Sequence, residues 1–520
     1  MKPSTTKRWM IIIILILLLI IIFLLFRCCR CGGRPQVRIK AYPNEVIVWK
    51  RPDIPHDQFV SWLHRLTDSI NEKGEITDTA YCPNCDSDLV LLKGPGPEAF
   101  IQQNGSGGSG GTPPGTPVGG DAPGLYCANV DVSDPSLQSL PTLTDSLGQQ
   151  FLHSHSVQAG NGGAIFPGNP GPANPGNGNA VTVAVLDTGD STVQKIYVRG
   201  VSQSCLLDPG SKKGWNFVAG SSDTHDDYQN RHGAKVTQFI IDQVRQYQGT
   251  MVPATNDVNI LPVKVFDRSG KGRLFDILCG IAYSANSGAK IINASFGFYE
   301  YQDTLTNQVA AVMLQEYMAY YLPKNKILMV AAAGNDNPHE DTLYRNRTGN
   351  PSADPRDLNS NPFYPACLVK DPQLKDNLLI VTTVSKDSVS PLQNFSNRIV
   401  DIGVNCDAVI DSLGVLYYIF RDPIFTQPYL VTDGSGNKAF YLHTVTGTSF
   451  ATPIATGKIA AYYQKLISTG PLKKDDILNR LQGIQPFSTS PKHLLQPASP
   501  GSNLRKLVKD GNTSVKKENN

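Results

Sequence analysis

At 520 residues the chain has room for one large domain and smaller flanking pieces. Its 47 Lys and Arg against 44 Asp and Glu leave a formal charge of +3, a balance that demands no nucleic acid or other polyanion as partner, and none is assigned. The hydrophobic share of 40% is ordinary for a globular protein but is unevenly spread along the chain.

Residues 10–26 (MIIIILILLLIIIFLLF) are apolar without a break. At about 1.5 Å per residue, a helix over that run is just long enough to cross the hydrocarbon core of a bilayer. Lys7 and Arg8 also suit a signal peptide, but Arg27, Cys28, Cys29 and Arg30 stand where small cleavage-site residues belong. The reading is a single-pass membrane anchor with its juxtamembrane Cys/Arg segment over residues 1–34, and the lipid bilayer is the partner of residues 10–26. Lys2, Lys7 and Arg8 precede the run, and Arg27, Arg30, Arg34, Arg38 and Lys40 follow it. That asymmetry leans toward a cytoplasmic C-terminal side and leaves the side of the membrane open. Cys28, Cys29 and Cys31 are open to acylation or stay unmodified. The later cysteines suit disulfides outside a cell or small buried hydrophobes inside one.

Residues 41–93 read as a small α+β segment. EVIVWK (45–50) is strand-like, and Phe59, Trp62, Leu63, Leu66 and Ile70 recur at the steps of an amphipathic helix. Two more strands follow near 75–79 and 89–92. Cys82 and Cys85 form one CxxC, which without a second pair is weak ground for zinc. Residues 94–125, rich in Gly, Pro and Ser, read as a linker. Over 126–484 the pattern becomes a large α/β domain. Apolar runs at 181–186, 260–266, 290–293, 327–333 and 378–384 suit strands covered on both faces, with helices near 232–247, 274–287, 304–322 and 449–465. Residues 485–520 turn polar and read as a disordered tail.

Three motifs carry chemistry. VAVLDTG ends an apolar strand with Asp187, at the strand end where α/β sheets gather catalytic groups, though a turn alone would also explain it. RHGAKV opens a helix with His232, and the following Gly233 is expected to spare substrate a crowding side chain. VTGTSFATPIATG sets Ser449 just after Gly447 at a helix start, as an N-cap or as a nucleophile whose own N–H faces a developing oxyanion.

Together these segments resemble the subtilase family of serine peptidases over roughly residues 180 to 468. The order Asp, His, Ser is that family's, and GTSFATP agrees with its nucleophile motif at every fixed position. AAAGN (331–335) matches the segment whose Asn, here Asn335, donates to the oxyanion hole. The resemblance implies a subtilisin-like three-layer α/β domain with a parallel sheet, preceded by the transmembrane helix and the small α+β segment. It implies a membrane-anchored serine endopeptidase with Asp187, His232 and Ser449 as triad, forming an acyl-enzyme, with Asn335 and the Ser449 N–H in the hole. No cofactor is implied.

For substrate, the resemblance points to an extended polypeptide laid between Ser295, Phe296 and Gly297 on one side and Gly270, Lys271 and Gly272 on the other, with Ala332 and Gly334 nearby. Asp223, Asp226 and Asp227 would favour basic substrates or form a solvated loop. Segment 41–93 sits where an intramolecular inhibitor would lie, or acts as an adaptor. The chain departs from the family's Gly-Thr-His-Val at Ala234 and Lys235, and Lys235 would set a cation near the histidine or point to solvent. No calcium loop is recognisable after Val236, so no metal is assigned. Stretches 337–361 and 407–443 have no counterpart. The altered histidine motif keeps one rival open, a catalytically silent subtilase-like binding module tethered to a membrane.

Overall fold

The structure, a computed structural model, describes residues 41–133, 181–486 and 505–507, apart from 83–85, 98, 101–122, 191–200, 203–213, 249–257, 300–304, 386–387, 411–415, 425–428, 433–437, 442, 467–473 and 481–483. The apolar run 10–26 lies outside the described residues. Among the described ones no helix is long and apolar enough to cross a membrane.

Strands β1 (Ala41–Lys50), β2 (Asp78–Cys82), β3 (Asp86–Lys93) and β4 (Gly124–Ser133) belong to a small sheet with helix α1 (His56–Asn71) against it. The periodic stripe of α1 is what it buries: Phe59, Trp62, Leu66 and Ile70 join Val46, Val48, Val90 and Leu92 in one core. Such a stripe stabilises the unit by roughly 1.5–3 kcal/mol per fully buried large side chain. Two readings change here. The stretch read as a linker contains Phe100, which is buried and packs against Tyr126 at 5.4 Å between ring centroids. The boundary drawn at residue 126 runs through β4, because β4 completes the small sheet. Alternation in GLYCANVDVS is a weak strand signal, and only its partners reveal which sheet it joins.

The main sheet is built from β5 (Val181–Asp187), β6 (Val258–Lys264), β8 (Ile291–Ala294), β10 (Leu328–Ala332), β12 (Leu378–Ser385) and β13 (Ile402–Asn405). Its spatial order is β13-β12-β10-β8-β5-β6, and these neighbours run parallel. Between them come α2 (His232–Gln248), β7 (Lys271–Arg273), α3 (Leu274–Asn286), β9 (Phe298–Tyr299), α4 (Leu305–Asn325), α5 (Pro338–Thr348) and β11 (Phe363–Tyr364), with α6 (Thr448–Ala461) near the end. Successive strand residues face opposite ways. Thus Val181, Val183 and Val185 share a core with Val236, Ile240, Phe450 and Ile454 of α2 and α6, while Leu186 faces Gly280 of α3. This is a three-layer α/β domain. The tail reading changes as well: residues 505–507 pair in parallel with Ile402, Gly403 and Val404, extending the sheet beyond β13.

From Tyr42 on the chain forms one compact unit. The small sheet lies against α3 and α4. Trp49 packs on Tyr317 at 4.9 Å, and Asp86 accepts hydrogen bonds from Tyr317 (3.1 Å), Tyr321 (2.8 Å) and the Trp49 indole (3.2 Å).

Candidate active site

Three elements deliver their first or last residues to one place. Strand β5 ends on Asp187, α2 begins on His232, and α6 begins on Thr448 and Ser449 after Gly447, whose φ of 125° favours glycine. His232 Nδ1 lies 2.8 Å from Asp187 Oδ1, and each residue is 2% exposed. The same carboxylate oxygen accepts the Thr188 N–H at 2.7 Å. Facing a carboxylate, Nδ1 carries the proton, which leaves Nε2 as the ring's acceptor. On the other side the ring meets Phe450, the neighbour of Ser449, at 5.1 Å.

Gly233 serves the triad more directly than by sparing substrate. A Cβ there would sit 2.1 Å from Gly189 O and 3.1 Å from Asp187 Oδ1, so glycine allows α2 to start against the Asp187 turn. Its N–H donates to Thr188 Oγ1 at 2.9 Å. Lys235 does not point to solvent. Its Nζ is 2.8 Å from Asp422, in the stretch 407–443. The acidic loop is structural too: Asp226 accepts the Ala234 N–H at 3.0 Å at the start of α2, Asp227 pairs with Lys264 at 2.7 Å, and Asp223 accepts the His225 N–H at 3.0 Å.

The end of β10 supplies Asn335. Its Oδ1 accepts the Thr448 N–H at 2.8 Å, which fixes the amide orientation and makes Nδ2 the outward donor. Nδ2 is buried and has no hydrogen-bond partner among the described residues. Gly334, with φ 100°, donates its N–H to Thr448 Oγ1 at 3.0 Å. Helix α6 and residues Gly334 and Asn335 are thereby laced together.

Ser295 and Phe296 turn inward. Ser295 Oγ accepts from Asn293 Nδ2 and donates to Ser449 O, both at 2.9 Å, and Phe296 packs on Phe266 at 5.3 Å. The Phe363 ring lies against both Gly297 and Gly334, beside the Ala332 strand end. On the opposite wall, Gly270 has φ 72° and leads into β7, which is already paired antiparallel with β4: Ser133 opposite Lys271, Val132 opposite Gly272, Asp131 opposite Arg273. Charged groups surround this seam. Arg273 Nε donates to Asp276 at 2.8 Å and Arg273 lies 3.6 Å from Glu45, which accepts from Asn129 at 2.6 Å. Burial pushes the Asp276 carboxyl up to about 6, against the pull of Arg273.

Sequence reasoning missed Tyr299, Arg356 and Asn394. They converge behind Asn335, come from three separate segments and share no local signature. Cys82 is buried in β2, and Cys85 lies outside the described residues. Among the described residues no group of three or more His, Cys, Asp or Glu is placed to hold a metal ion.

Comparison with known proteins adds an independent line. A family model described as "Subtilase family" matches residues 178–480. A thermophilic serine proteinase of Bacillus sp. (strain AK1) is 35% identical over 130 residues, 25% of this chain and 29% of that protein. Thermitase of Thermoactinomyces vulgaris is 29% identical over 191 residues, 35% of this chain and 59% of that protein. The chain thus spans less than two thirds of the length of these relatives. Among solved structures, an epidermin leader peptide processing serine protease from Staphylococcus aureus is 17% identical with a TM-score of 0.46, covering 87% of this chain and 95% of that one.

Proposed function

The chain belongs to the subtilase family, whose model spans residues 178–480, and from that premise we propose that it is a serine endopeptidase with Asp187, His232 and Ser449 as its triad. The observation that carries this reading is the buried 2.8 Å contact between Asp187 Oδ1 and His232 Nδ1 at the head of α2. It holds the imidazole in the tautomer a general base needs and stabilises the cation that forms. His232 Nε2 takes the Ser449 hydroxyl proton as Oγ bonds to the peptide carbonyl carbon. The Asn335 Nδ2 and the Ser449 N–H receive the negative charge on the carbonyl oxygen. Collapse of the tetrahedral adduct breaks the C–N bond, the proton passes from His232 to the leaving amine, and water then hydrolyses the ester by the reverse roles.

Two finer readings go with it. Residues 41–133 act as an intramolecular inhibitor: β4 pairs with the β7 edge at Gly272, where an extended substrate would add as a strand. The apolar run 10–26 anchors the chain in a bilayer.

The test is fluorophosphonate labelling of the full chain beside Ser449→Ala, with N-terminal sequencing of every product. Labelling confined to the unsubstituted chain, appearing only as a cut beyond residue 133 accumulates, is the expected result. A folded chain that neither labels nor processes would overturn the peptidase reading. Labelling of the uncut chain at full rate would overturn the inhibitor reading alone. Extraction of the uncut chain from membranes by alkaline carbonate would refute the anchor.

A further inference from the structure

The stretch 337–361, which matches nothing in the family pattern, reaches back to the oxyanion segment. Its Arg356 is 3% exposed. One guanidinium nitrogen, Nη1, donates to Tyr299 Oη at 2.8 Å and to Asn394 Oδ1 at 2.9 Å, while Nη2 is ion-paired with Asp341 of α5. Proton counting narrows the rest. Tyr299 has a single O–H, and its oxygen already accepts from Arg356. Burial holds this phenol above its ordinary range, so it stays protonated. The Tyr299 O–H has two acceptors in reach, Asn335 O at 2.7 Å and Asn394 Oδ1 at 2.9 Å; Arg356 already supplies Asn394 Oδ1, and the shorter contact assigns the proton to Asn335 O. Asn394 uses its own donors on the neighbouring carbonyls: Nδ2 to Ala333 O at 2.9 Å and the backbone N–H to Gly334 O at 2.9 Å.

Three consecutive carbonyls, of residues 333, 334 and 335, are therefore held by two side chains and one backbone N–H, and Arg356 grips both side chains. Beyond its link to Thr448, the Asn335 amide owes its aim to this backbone. A buried ion pair such as Arg356–Asp341 is a weak source of net stability, because desolvation offsets much of the attraction. Its planar fork, however, fixes two acceptors at once, which a lysine's single ammonium on a flexible stem does poorly.

We propose that Arg356, acting through Tyr299 and Asn394, is a positioning residue that aims the Asn335 side-chain amide at the oxyanion. The proposal rests on the peptidase reading above. Misplacing a preorganised donor weakens an interaction made chiefly in the transition state, so kcat falls while KM holds.

The experiment measures kcat and KM on a peptide substrate for Tyr299→Phe, Arg356→Lys and Asn335→Ala, and for Tyr299→Phe combined with Asn335→Ala, with a melting curve for each. Tyr299→Phe keeps the ring and its edge contact with Phe363 at 4.9 Å, so it removes the hydroxyl and little else. The expected result is a loss of about 10- to 100-fold in kcat with KM within about threefold, the scale of second-layer partners at functional sites. Arg356→Lys should fall between the unsubstituted chain and Tyr299→Phe. In the Asn335→Ala background, Tyr299→Phe should cost almost nothing further, because the group it aims is gone. Equal losses in both backgrounds, or an unchanged kcat in Tyr299→Phe, would overturn the positioning role while leaving the peptidase reading intact. An unsubstituted chain that hydrolyses no peptide would sink both.

Discussion

The two faces of the cleft are built alike from opposite kinds of sequence. On the triad face, Asp187, His232 and Ser449 sit in contiguous motifs whose neighbours do the local work: Thr188 on the carboxylate, Gly233 against the turn, Phe450 on the imidazole. On the oxyanion face, Asn335 sits in a motif, but its backbone is held by Tyr299, Arg356 and Asn394 from three other segments. Each face is also braced by one of the two stretches that the motifs do not cover. Asp422 of 407–443 pairs with Lys235 on α2, and Arg356 of 337–361 donates to Tyr299 and Asn394 behind Asn335. The motifs carry the residues proposed to react, and the stretches between them supply partners that no motif announces.

The largest effect expected is on the triad face. Asp187→Asn exchanges an acceptor for an amide that can present a donor to Nδ1, which favours the wrong imidazole tautomer. A fall of about 10⁴ in kcat with the fold intact is expected, a size taken from another serine peptidase. Steady-state kinetics and a melting curve on the same sample check it. A loss under tenfold would mean that the 2.8 Å contact between Asp187 and His232 is structural only. On the oxyanion face, Asn335→Ala should cost about 10²–10³ in kcat, a value carried over from subtilisin, with KM little changed. If KM rises instead, the asparagine binds substrate rather than the transition state, and the two faces no longer share one reaction.

That contrast also explains what could be read in advance. The parallel strands were legible because both faces of each are buried, which makes the runs apolar; β5 and β10 show this. Asp187, His232, Ser449 and Asn335 were legible because each sits where a strand ends or a helix starts, beside glycines that the close packing demands. Their partners were not. Tyr299 and Arg356 lie 36 residues or more from what they hold or grip, and nothing in YRNRTGNPSADPRDLN announces a buried arginine. The partner of Lys235 was hidden for the same reason, since its carboxylate is far along the chain. The boundary at residue 126 fell inside β4 because a strand that joins a sheet is specified by the edge it meets.

The brace on the triad face can be tested apart from the chemistry. Lys235→Met removes the cation from Asp422, which is 1% exposed. Stripping one partner from a buried pair costs about 3–5 kcal/mol, and since the Lys235 side chain keeps some exposure, about 2–4 kcal/mol is expected here. Urea unfolding at neutral pH measures it, and kcat should stay within about threefold. A stability loss below about 1 kcal/mol would show that 407–443 leans on α2 by packing alone.

The smallest effect concerns Asp336, the residue after the oxyanion asparagine. Burial holds its carboxyl above the ordinary range, with the Arg356 guanidinium pulling the other way. The folded chain thus keeps a proton there at pH values where the unfolded chain has released it. Its ionised form counts against folding at neutral pH, and that handicap fades as pH falls from the raised value toward the ordinary carboxylate one. Asp336→Asn should therefore be slightly more stable than the unsubstituted chain at pH 7, by less than about 1 kcal/mol, with the difference closing as the solution is acidified. Urea midpoints across that range check the sign. A variant that is less stable at pH 7 would mean that attraction to Arg356 outweighs the cost of burial. Arg356 would then serve two carboxylates, Asp336 and Asp341, and the oxyanion face would have the firmer brace of the two.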